Sequence, residues 1–250
     1  MRQIIMPKNL LSSVLVIIAT YNEADNISRL IDDIIALEAG IHILVVDDNS
    51  PDGTAECVTQ CRKKYPDTVH LIKRSNERGY GSAFVAGFQW GLNQKQFTTF
   101  ISMDADFSHL PRYIPVMLEK LNGADVVIGS RYIPGGKTKN WGLHRRILSR
   151  GANIYSRLLL HIPVNDCTSG FRCYRRSILE NINLSGITSN GYSFLEEILY
   201  NCRRAGALFQ EIPIEFIDRT YGTSKLSKKE IFKAILKVPK LRFSVSDKKQ

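Results

Sequence analysis

Short apolar runs alternate with stretches of helical periodicity through the first half of the chain. The runs are four to six residues long and rich in β-branched side chains. Runs of this kind are typical of strands that are buried on both faces of a parallel sheet. They lie at Val14–Ala19, Ile43–Asp47, Val69–Lys73, Phe100–Met103 and Val126–Gly129.

Between these runs, apolar positions recur at helical spacing. From Glu23 onward, one helix face would carry Ile27, Leu30, Ile31, Ile34 and Ile35. Further helices are predicted at Asp52–Lys64, Gly81–Leu92 and Pro111–Leu121, the last with proline in its first turn. The alternation predicts an α/β fold with a mainly parallel central sheet flanked by helices and right-handed crossovers.

The second half of the chain is less regular. Gly191–Cys202 is expected to be a helix and Ile212–Ile217 a strand. Trp141–Ile162 is rich in arginine and leucine, and Ser227–Val238 is basic and amphipathic. Neither an internal repeat nor a low-complexity linker divides the chain, so we expect one main domain.

Carboxylates follow three of the predicted strands, at the edge where ligands bind in open α/β sheets. Glu23 follows the first strand, Asp48 the second, and Asp104 and Asp106 the fourth. Alternate residues of an extended segment point the same way, so an Asp-x-Asp pair can face one divalent cation. A lone pair of this kind more often caps a helix, but its place after a buried run favours a cation site.

Composition adds an anionic partner to this picture. The chain carries 34 Lys and Arg against 24 Asp and Glu, a formal net charge of +10. Such a balance favours nucleic acid, an anionic membrane surface or phosphate-bearing substrates, and does not choose among them. The five cysteines are odd in number and form no CxxC pair, which indicates reduced thiols. No apolar stretch is long enough for a transmembrane helix, and the N-terminus lacks the features of a signal peptide.

Eight short segments, in order along the chain, carry a resemblance to a known family. They are ATYNEADNI (19–27), VVDDNSPDGT (45–54), RGYGSAFVAGF (78–88), MDADFSHLP (103–111), GSRY (129–132), DCTSGFRCY (166–174), GYSFLEEIL (191–199) and FIDRTYGTSKLS (216–227). The sequence resembles the family-2 inverting glycosyltransferases of GT-A fold and, within them, the dolichol-phosphate (polyprenyl-phosphate) mannose synthases. The resemblance implies a catalytic domain over residues 12–228, followed by a basic amphipathic helix and polar tail over 229–250.

The resemblance also implies a nucleotide-sugar site and a Mg or Mn ion. The donor would be bound by Ala19, Tyr21, Glu23, Val46, Asp48, Asp104, Ala105, Asp106, Arg131, Arg219 and Lys225. Asp106 would be the principal metal ligand, joined by Asp104 and by Ser108, which stands where the family often has glutamine. The catalytic group would be Asp104, Asp106, Arg131 and Asp166. Asp166 could equally cap a turn.

The implied reaction moves a single hexose, expected to be mannose from GDP-mannose, to a polyprenyl monophosphate with inversion. A phosphate monoester with a second pKa near ~6 is already the nucleophile at neutral pH, so arginine and lysine matter more than a general base. The alternatives are a glucosyltransferase that uses UDP-glucose, a family-2 enzyme with a non-lipid acceptor, and a non-catalytic α/β module that binds membrane or nucleic acid. We expect no nucleic-acid partner.

A lipid acceptor requires the protein to reach a membrane. Trp141–Ile162 mixes apolar side chains with Arg145, Arg146, Arg150 and Arg157, which suits an interfacial helix. We therefore expect a cytoplasmic, peripheral protein on the cytoplasmic face of a membrane, with a possible separate membrane-anchoring subunit.

The run from Gly79 to Phe84 imitates a dinucleotide fingerprint but lacks its third glycine, so a nicotinamide enzyme is rejected. His109 is expected to serve packing.

Overall fold

The computed structural model describes residues 13–37, 40–75, 78–189, 191–218 and 237–243. The strands in these ranges are β1 (Val14–Thr20), β2 (His42–Asp47), β3 (Val69–Lys73), β4 (Thr99–Asp104), β5 (Val126–Ser130), β6 (Lys137–Lys139), β7 (Arg172–Arg175), β8 (Phe209–Pro213) and β9 (Glu215–Ile217). The helices are α1 (Ala24–Ile35), α2 (Thr54–Lys64), α3 (Tyr80–Leu92), α4 (Ile114–Lys120), α5 (Leu143–Leu160), α6 (Arg176–Glu180) and α7 (Tyr192–Arg204). Residues 237–243 are also helical.

The central sheet has seven strands in the order β3–β2–β1–β4–β7–β5–β8. Strands β1 to β4 pair in parallel, β8 is parallel to β5, and β7 runs antiparallel between β4 and β5. The prediction of a mainly parallel α/β sheet is therefore confirmed. Ala19 pairs with Val46 on one side and with Asp104 on the other, so the carboxyl ends of three strands meet at one edge.

The apolar core lies on both faces of this sheet. Side chains of α1, α2 and α4 cover one face, and those of α3, α5, α6, α7 and residues 237–243 cover the other. Helix α3 approaches the sheet closely at two glycines. A Cβ atom on Gly87 would lie 2.5 Å from Ile17, and one on Gly91 would lie 2.5 Å from Phe100. Each fully buried Ile or Leu contributes about 1.5–3 kcal/mol, which explains why apolar periodicity predicted these elements well.

The five predicted strands and the helices of the first half are confirmed, but the second half needs correction. Ile212–Ile217 was predicted as one strand, and that is wrong. The segment is divided between β8, which pairs with β5, and β9, which pairs with β6 in a separate two-stranded sheet. The pairing changes partner at Ile214, whose backbone amide donates to the carbonyl of Ser130 on β5 and whose carbonyl accepts from the amide of Lys137 on β6. Strand β7 was not predicted, since three of its four residues are Arg or Tyr.

Helix α5 has clear local boundaries. It contains 18 residues and ends at Leu160, after which His161 adopts a left-handed conformation with φ of 53° and Pro163 follows. A left-handed residue followed by proline cannot continue the helix. Among the described residues, no helix is long and apolar enough to cross a membrane.

Candidate active site

A cavity of about 480 Å³ lies at the sheet edge where the carboxyl ends of the strands meet. Of the residues predicted from the sequence, those that line it are Ala19, Tyr21, Glu23, Asp48, Asp104, Ala105, Asp106, Ser108 and Arg131. These residues come from the ends of β1, β2, β4 and β5, which are brought together by the sheet order. Parallel strands direct their carboxyl ends to the same edge, so residues up to 112 positions apart in sequence share one site.

Two of the predicted residues that the structure describes, Val46 and Asp166, do not line this cavity. The side chain of Val46 is fully buried in the core against α3, so its predicted contact with a nucleotide would have to come from the backbone. Asp166 is fully buried beneath the cavity. Arg219 and Lys225 lie outside the residues that the structure describes, and their assignment to phosphate binding stays a prediction.

Asp48 holds the loop that precedes α3. Its Oδ1 accepts a 2.6 Å hydrogen bond from Nε of Arg74, and its Oδ2 accepts a 2.8 Å hydrogen bond from the backbone amide of Gly79. Arg74 is itself bound to Ser82 and to the carbonyl of Gly79. The carboxylate is about nine-tenths buried, and this pairing stabilises the buried charge. Asp48 thus shapes the cavity wall as well as lining it.

Asp104 is held from two sides. The hydroxyl of Tyr80 donates a 2.9 Å hydrogen bond to Oδ1 of Asp104, and the backbone amide of Asp104 donates a 3.0 Å hydrogen bond to Nδ1 of His109. Burial lowers the pKa of His109 despite the nearby carboxylates, which keeps the ring neutral and able to accept. His109 also stacks on Phe171, at 5.1 Å between ring centroids. Packing was predicted for His109, and the structure adds a contact with the site itself.

Asp106 lies in a tight turn with Ser108. Oδ1 of Asp106 accepts hydrogen bonds of 3.1 Å from the backbone amide and 2.5 Å from the hydroxyl of Ser108. Phe107, between them, has a φ of 58°, a left-handed conformation that costs energy for a residue with a side chain. Ser108 therefore orients Asp106. Its hydroxyl donates to the carboxylate and keeps its two lone pairs, so this hydrogen bond is compatible with the role of metal ligand, which stays a prediction.

Arg131 and Asp166 form a buried ion pair. Nε and Nη2 of Arg131 donate to the two carboxylate oxygens at 2.8 and 2.7 Å, and Nη2 also donates to Thr168 at 2.8 Å. Burial by itself would raise the pKa of Asp166, but the charge and hydrogen bonds of Arg131, together with the charge of Arg172, hold that pKa below its usual range. Asp166 is consequently ionised and committed to Arg131, so any part in catalysis would act through the arginine.

Several lining residues were not predicted as site residues. Arg145 was assigned to membrane head groups, but it lines the cavity and donates a 2.6 Å hydrogen bond to Asp218. Trp141, predicted to face the membrane, is 8% exposed, and its ring lies 5.3 Å from the Cζ atom of Arg131 and 4.2 Å from that of Arg145. Arg78 lies over the ring of Tyr21 at 4.9 Å. Spacing along one chain cannot reveal such contacts, because they join separate elements.

Helix α5 borders the cavity and has two opposed faces. Its inner face includes the buried residues Asn153, Ser156 and Leu160. Its outer face carries a stripe of apolar side chains that are between 58% and 73% exposed: Leu143, Ile147, Ile154 and Leu158. Exposed arginines follow the same outer side at Arg146, Arg150 and Arg157. An apolar stripe that remains exposed beside basic residues is typical of a helix that lies in a membrane interface.

Comparison with known proteins decides the family. The model of the family described as Glycosyl transferase family 2 matches residues 15–182. The chain belongs to this glycosyltransferase family. It is 43% identical over 225 residues to the polyprenol monophosphomannose synthase of Mycolicibacterium smegmatis, a match that covers 90% of this chain and 84% of that protein. It is 38% identical over 225 residues to the undecaprenyl-phosphate mannosyltransferase of Micrococcus luteus, which covers 90% of this chain and 92% of that protein.

Solved structures agree on the fold of this glycosyltransferase. Glucosyl-3-phosphoglycerate synthase from Mycobacterium tuberculosis, solved with Mn2+, UDP and glucosyl-3-phosphoglycerate, matches with a TM-score of 0.66 and 17% identity. That match covers 93% of this chain and 79% of the solved chain. At this identity the likeness concerns the fold alone. The expectations of a GT-A fold and of a family-2 glycosyltransferase are both confirmed.

Proposed function

We propose that this glycosyltransferase moves mannose from a nucleotide-sugar to the phosphate of a membrane-embedded polyprenyl monophosphate. The observation that carries the proposal is the composition of the cavity described above, which combines a carboxylate side, formed by Asp104 and Asp106, with an arginine side, formed by Arg131 and Arg145. Asp104 and Asp106 stand at the end of β4, whereas Arg131 and Arg145 meet at the ring of Trp141. Two relatives of 43% and 38% identity, both named for mannosyl transfer to polyprenyl phosphates, support it.

The donor would occupy the side formed by β1, β2 and α3. Tyr21, Glu23 and Asp48 line this part of the cavity, and Arg78 lies over Tyr21. An aromatic ring with a guanidinium beside it can hold a nucleobase by stacking, and carboxylates can accept hydrogen bonds from ribose hydroxyls and base N–H groups. GDP-mannose is the donor we propose, with UDP-glucose as the alternative that the experiment below separates.

A divalent cation fits the carboxylate side. The described residues contain no group of three or more His, Cys, Asp or Glu placed to hold a metal ion. Asp104 and Asp106 nevertheless offer carboxylate oxygens, and Mg or Mn is commonly held by one or two carboxylates together with substrate phosphates. The neighbour solved with Mn2+ and UDP supports this assignment. When bound, the cation would neutralise charge on the departing diphosphate.

The acceptor would occupy the arginine side. A phosphate monoester is largely ionised at neutral pH and needs positive charge and alignment more than a base. Arg131 is held rigidly by Asp166, and Arg145 by Asp218, so both guanidinium groups are pre-positioned. In the proposed displacement, an acceptor phosphate oxygen bonds to the anomeric carbon while the bond from that carbon to the diphosphate breaks, which inverts the configuration.

Peripheral contact with the membrane would bring the enzyme to its acceptor. The exposed stripe on α5 would enter the acyl boundary while Arg146, Arg150 and Arg157 meet anionic head groups. Because α5 begins next to Trp141 and carries Arg145 into the cavity, this orientation places the membrane beside the arginine side. A cytoplasmic location and a separate anchoring subunit stay predictions.

The proposal is tested by comparing two nucleotide-sugar donors with the same lipid acceptor. Purified protein with Mn or Mg and a short polyprenyl phosphate is given labelled GDP-mannose or UDP-glucose in parallel, and label extracted into organic solvent is counted. We expect label with GDP-mannose alone, and loss of at least about 100-fold in Asp106→Asn, which removes a charge beside the diphosphate. If label were extracted with UDP-glucose alone, the transferred sugar would be glucose and not mannose. No extraction with either donor, from protein that still binds nucleotide, would exclude the lipid acceptor.

A further inference from the structure

Helix α5 has a line of polar residues on the face that is turned toward the cavity. Arg145, Ser149 and Asn153 are spaced four residues apart, so they lie one above another on the helix surface. Each contacts a different part of the arginine side. Arg145 lines the cavity, Ser149 accepts a 2.7 Å hydrogen bond from the hydroxyl of Tyr132, and Asn153 contacts Thr168. The exposed apolar stripe lies on the opposite face of the same helix.

Asn153 binds Thr168 through both ends of its amide. Its Nδ2 donates to the Thr168 hydroxyl at 3.0 Å, and its Oδ1 accepts from the Thr168 backbone amide at 3.2 Å. A second hydrogen bond from Nδ2 goes to the carbonyl of Ser149, one turn earlier, at 2.8 Å. Asn153 is 3% exposed and Thr168 is 8% exposed. A buried amide with three hydrogen bonds has one orientation, which fixes Thr168 in both its backbone and its side chain.

Thr168 in turn binds Arg131. Nη2 of Arg131 donates a 2.8 Å hydrogen bond to the Thr168 hydroxyl, alongside its hydrogen bond to Asp166. The hydroxyl therefore accepts from Asn153 and Arg131, and it lies 3.4 Å from Oδ1 of Asp166, to which it donates. A continuous chain of hydrogen bonds thus runs from the inner face of α5 to the guanidinium that we place at the acceptor.

We infer that Asn153 is a positioning residue for Arg131, and that it ties the acceptor side of the cavity to the seating of α5. The inference rests on the proposed function for the assignment of Arg131 to the acceptor phosphate. The hydrogen bonds that join Asn153, Thr168 and Arg131 do not depend on that assignment. Loss of the Asn153 amide would leave the Thr168 backbone amide without its buried acceptor and take one of the two donors from the Thr168 hydroxyl, so that Thr168 could turn away from Arg131. Asp166 would then hold the guanidinium alone.

The chain offers a matched control on the same helix face. Ser156 is fully buried, and its hydroxyl donates to Oε1 of Glu196 on α7, away from Thr168 and Arg131. Ser156→Ala therefore removes a buried polar contact of α5 without touching the chain of hydrogen bonds to the arginine. If Asn153 served only to attach the helix to the core, the two substitutions would have the same consequences.

The first measurement concerns Arg131 directly and needs no substrate. The arginine Nε–H signal of Arg131 is assigned in an NMR spectrum by its loss in Arg131→Lys, and its exchange with water is measured. We expect slow exchange in the unchanged protein and in Ser156→Ala, and exchange at least tenfold faster in Asn153→Ala. Equal exchange rates in Asn153→Ala and the unchanged protein would overturn the inference.

The second measurement distinguishes an effect on the use of the acceptor from an effect on binding of the donor nucleotide. For each variant, kcat/KM for polyprenyl phosphate and the Kd for GDP in the presence of Mn are determined. Asn153→Ala should lower the former by tenfold or more and change the latter by less than twofold, with Ser156→Ala within threefold of the unchanged protein on both. Parallel losses in the two variants would overturn the inference. Absence of transfer in the unchanged protein would refute the proposed function, while the exchange measurement would still decide the role of Asn153.

Discussion

Arg131 and Asp166 are joined by a paired hydrogen bond between guanidinium and carboxylate, at 2.7 and 2.8 Å, and both residues are buried, with exposures of 6% and 0%. The carboxylate also accepts from the backbone amide of Arg131 at 2.9 Å. An acid next to the CTSGFR segment was predicted as part of the catalytic group. In the structure its carboxylate holds an arginine in place, 35 residues away in sequence, and its part in catalysis stays a prediction.

Asp166→Asn should both destabilise the protein and impair transfer. Breaking a buried ion pair by removing one partner typically costs about 3–5 kcal/mol, because the remaining charge is left uncompensated. Urea denaturation should show a loss of that size at pH 7, and kcat/KM for the acceptor should fall by at least about 100-fold. Unchanged stability together with unchanged transfer would mean that Arg131 does not depend on Asp166.

Tyr80→Phe tests the hydroxyl that holds Asp104. The ring would keep its contact with Phe84, at 4.9 Å between centroids, and the 2.9 Å hydrogen bond to Asp104 would be lost. Since one such hydrogen bond contributes about 0.5–1.5 kcal/mol, stability should change little. The less constrained carboxylate should raise the Mn concentration for half-maximal transfer about three- to tenfold.

Tyr132→Phe is the matched control for that experiment, because its hydroxyl binds Ser149 on α5 rather than a carboxylate. The Mn requirement should be the same in this variant as in the unchanged protein. If Tyr80→Phe and Tyr132→Phe gave the same Mn titration curve, Tyr80 would have no part in placing Asp104.

Replacing two residues of the exposed stripe on α5 should weaken membrane binding. Ile147→Ser with Ile154→Ser removes apolar surface that would be worth about 1.5–3 kcal/mol per fully buried side chain. Sedimentation with anionic liposomes at low salt should show at least tenfold weaker binding. The melting temperature should stay within about 2 °C, since both side chains are already exposed.

Leu208→Ser controls for a general effect of exposed apolar residues, because Leu208 is 64% exposed and lies before β8, outside α5. Its liposome binding should match that of the unchanged protein. Binding of the unchanged protein should fall steeply with salt, since charge attraction over a Debye length is screened. Equal binding by all three proteins would exclude α5 as the membrane contact.

The buried carboxyl group of Glu196 is expected to make the stability of the protein depend on pH. Burial raises the pKa of Glu196 to about 7, although Ser156 and Arg172 act in the opposite direction. A carboxyl whose pKa is higher in the folded state binds its proton more tightly there, so stability falls as pH rises from about 4.5 to about 7. The shift corresponds to about 3 kcal/mol of lost stability above this range.

Glu196→Gln should remove that dependence, because the amide stays neutral and can still accept from Ser156. The variant should resemble the unchanged protein at pH 4.5 and exceed its stability in urea at pH 8. Identical slopes of stability against pH for the two proteins would show that Glu196 does not ionise between these values.

The sequence alone was sufficient to predict the alternation of strands and helices and the carboxylates at the carboxyl ends of β1, β2 and β4. Apolar periodicity reports which face of an element is buried, and a parallel sheet directs those ends to one edge, so Glu23, Asp48, Asp104 and Asp106 could be predicted to meet. The ordered motifs added the family. These features depend on neighbours in sequence or on a general rule of fold geometry.

Tertiary structure alone decided which side chains serve one another. Arg145 was predicted for the membrane and lines the cavity, Val46 was predicted for the nucleotide and lies in the core, and Asp166 was predicted for catalysis and pairs with Arg131. Strand β7 and the division of Ile212–Ile217 likewise depend on partners elsewhere in the chain. Hydrogen bonds and ion pairs act over about 3 Å between atoms that no periodicity relates, so only the packed chain determines them.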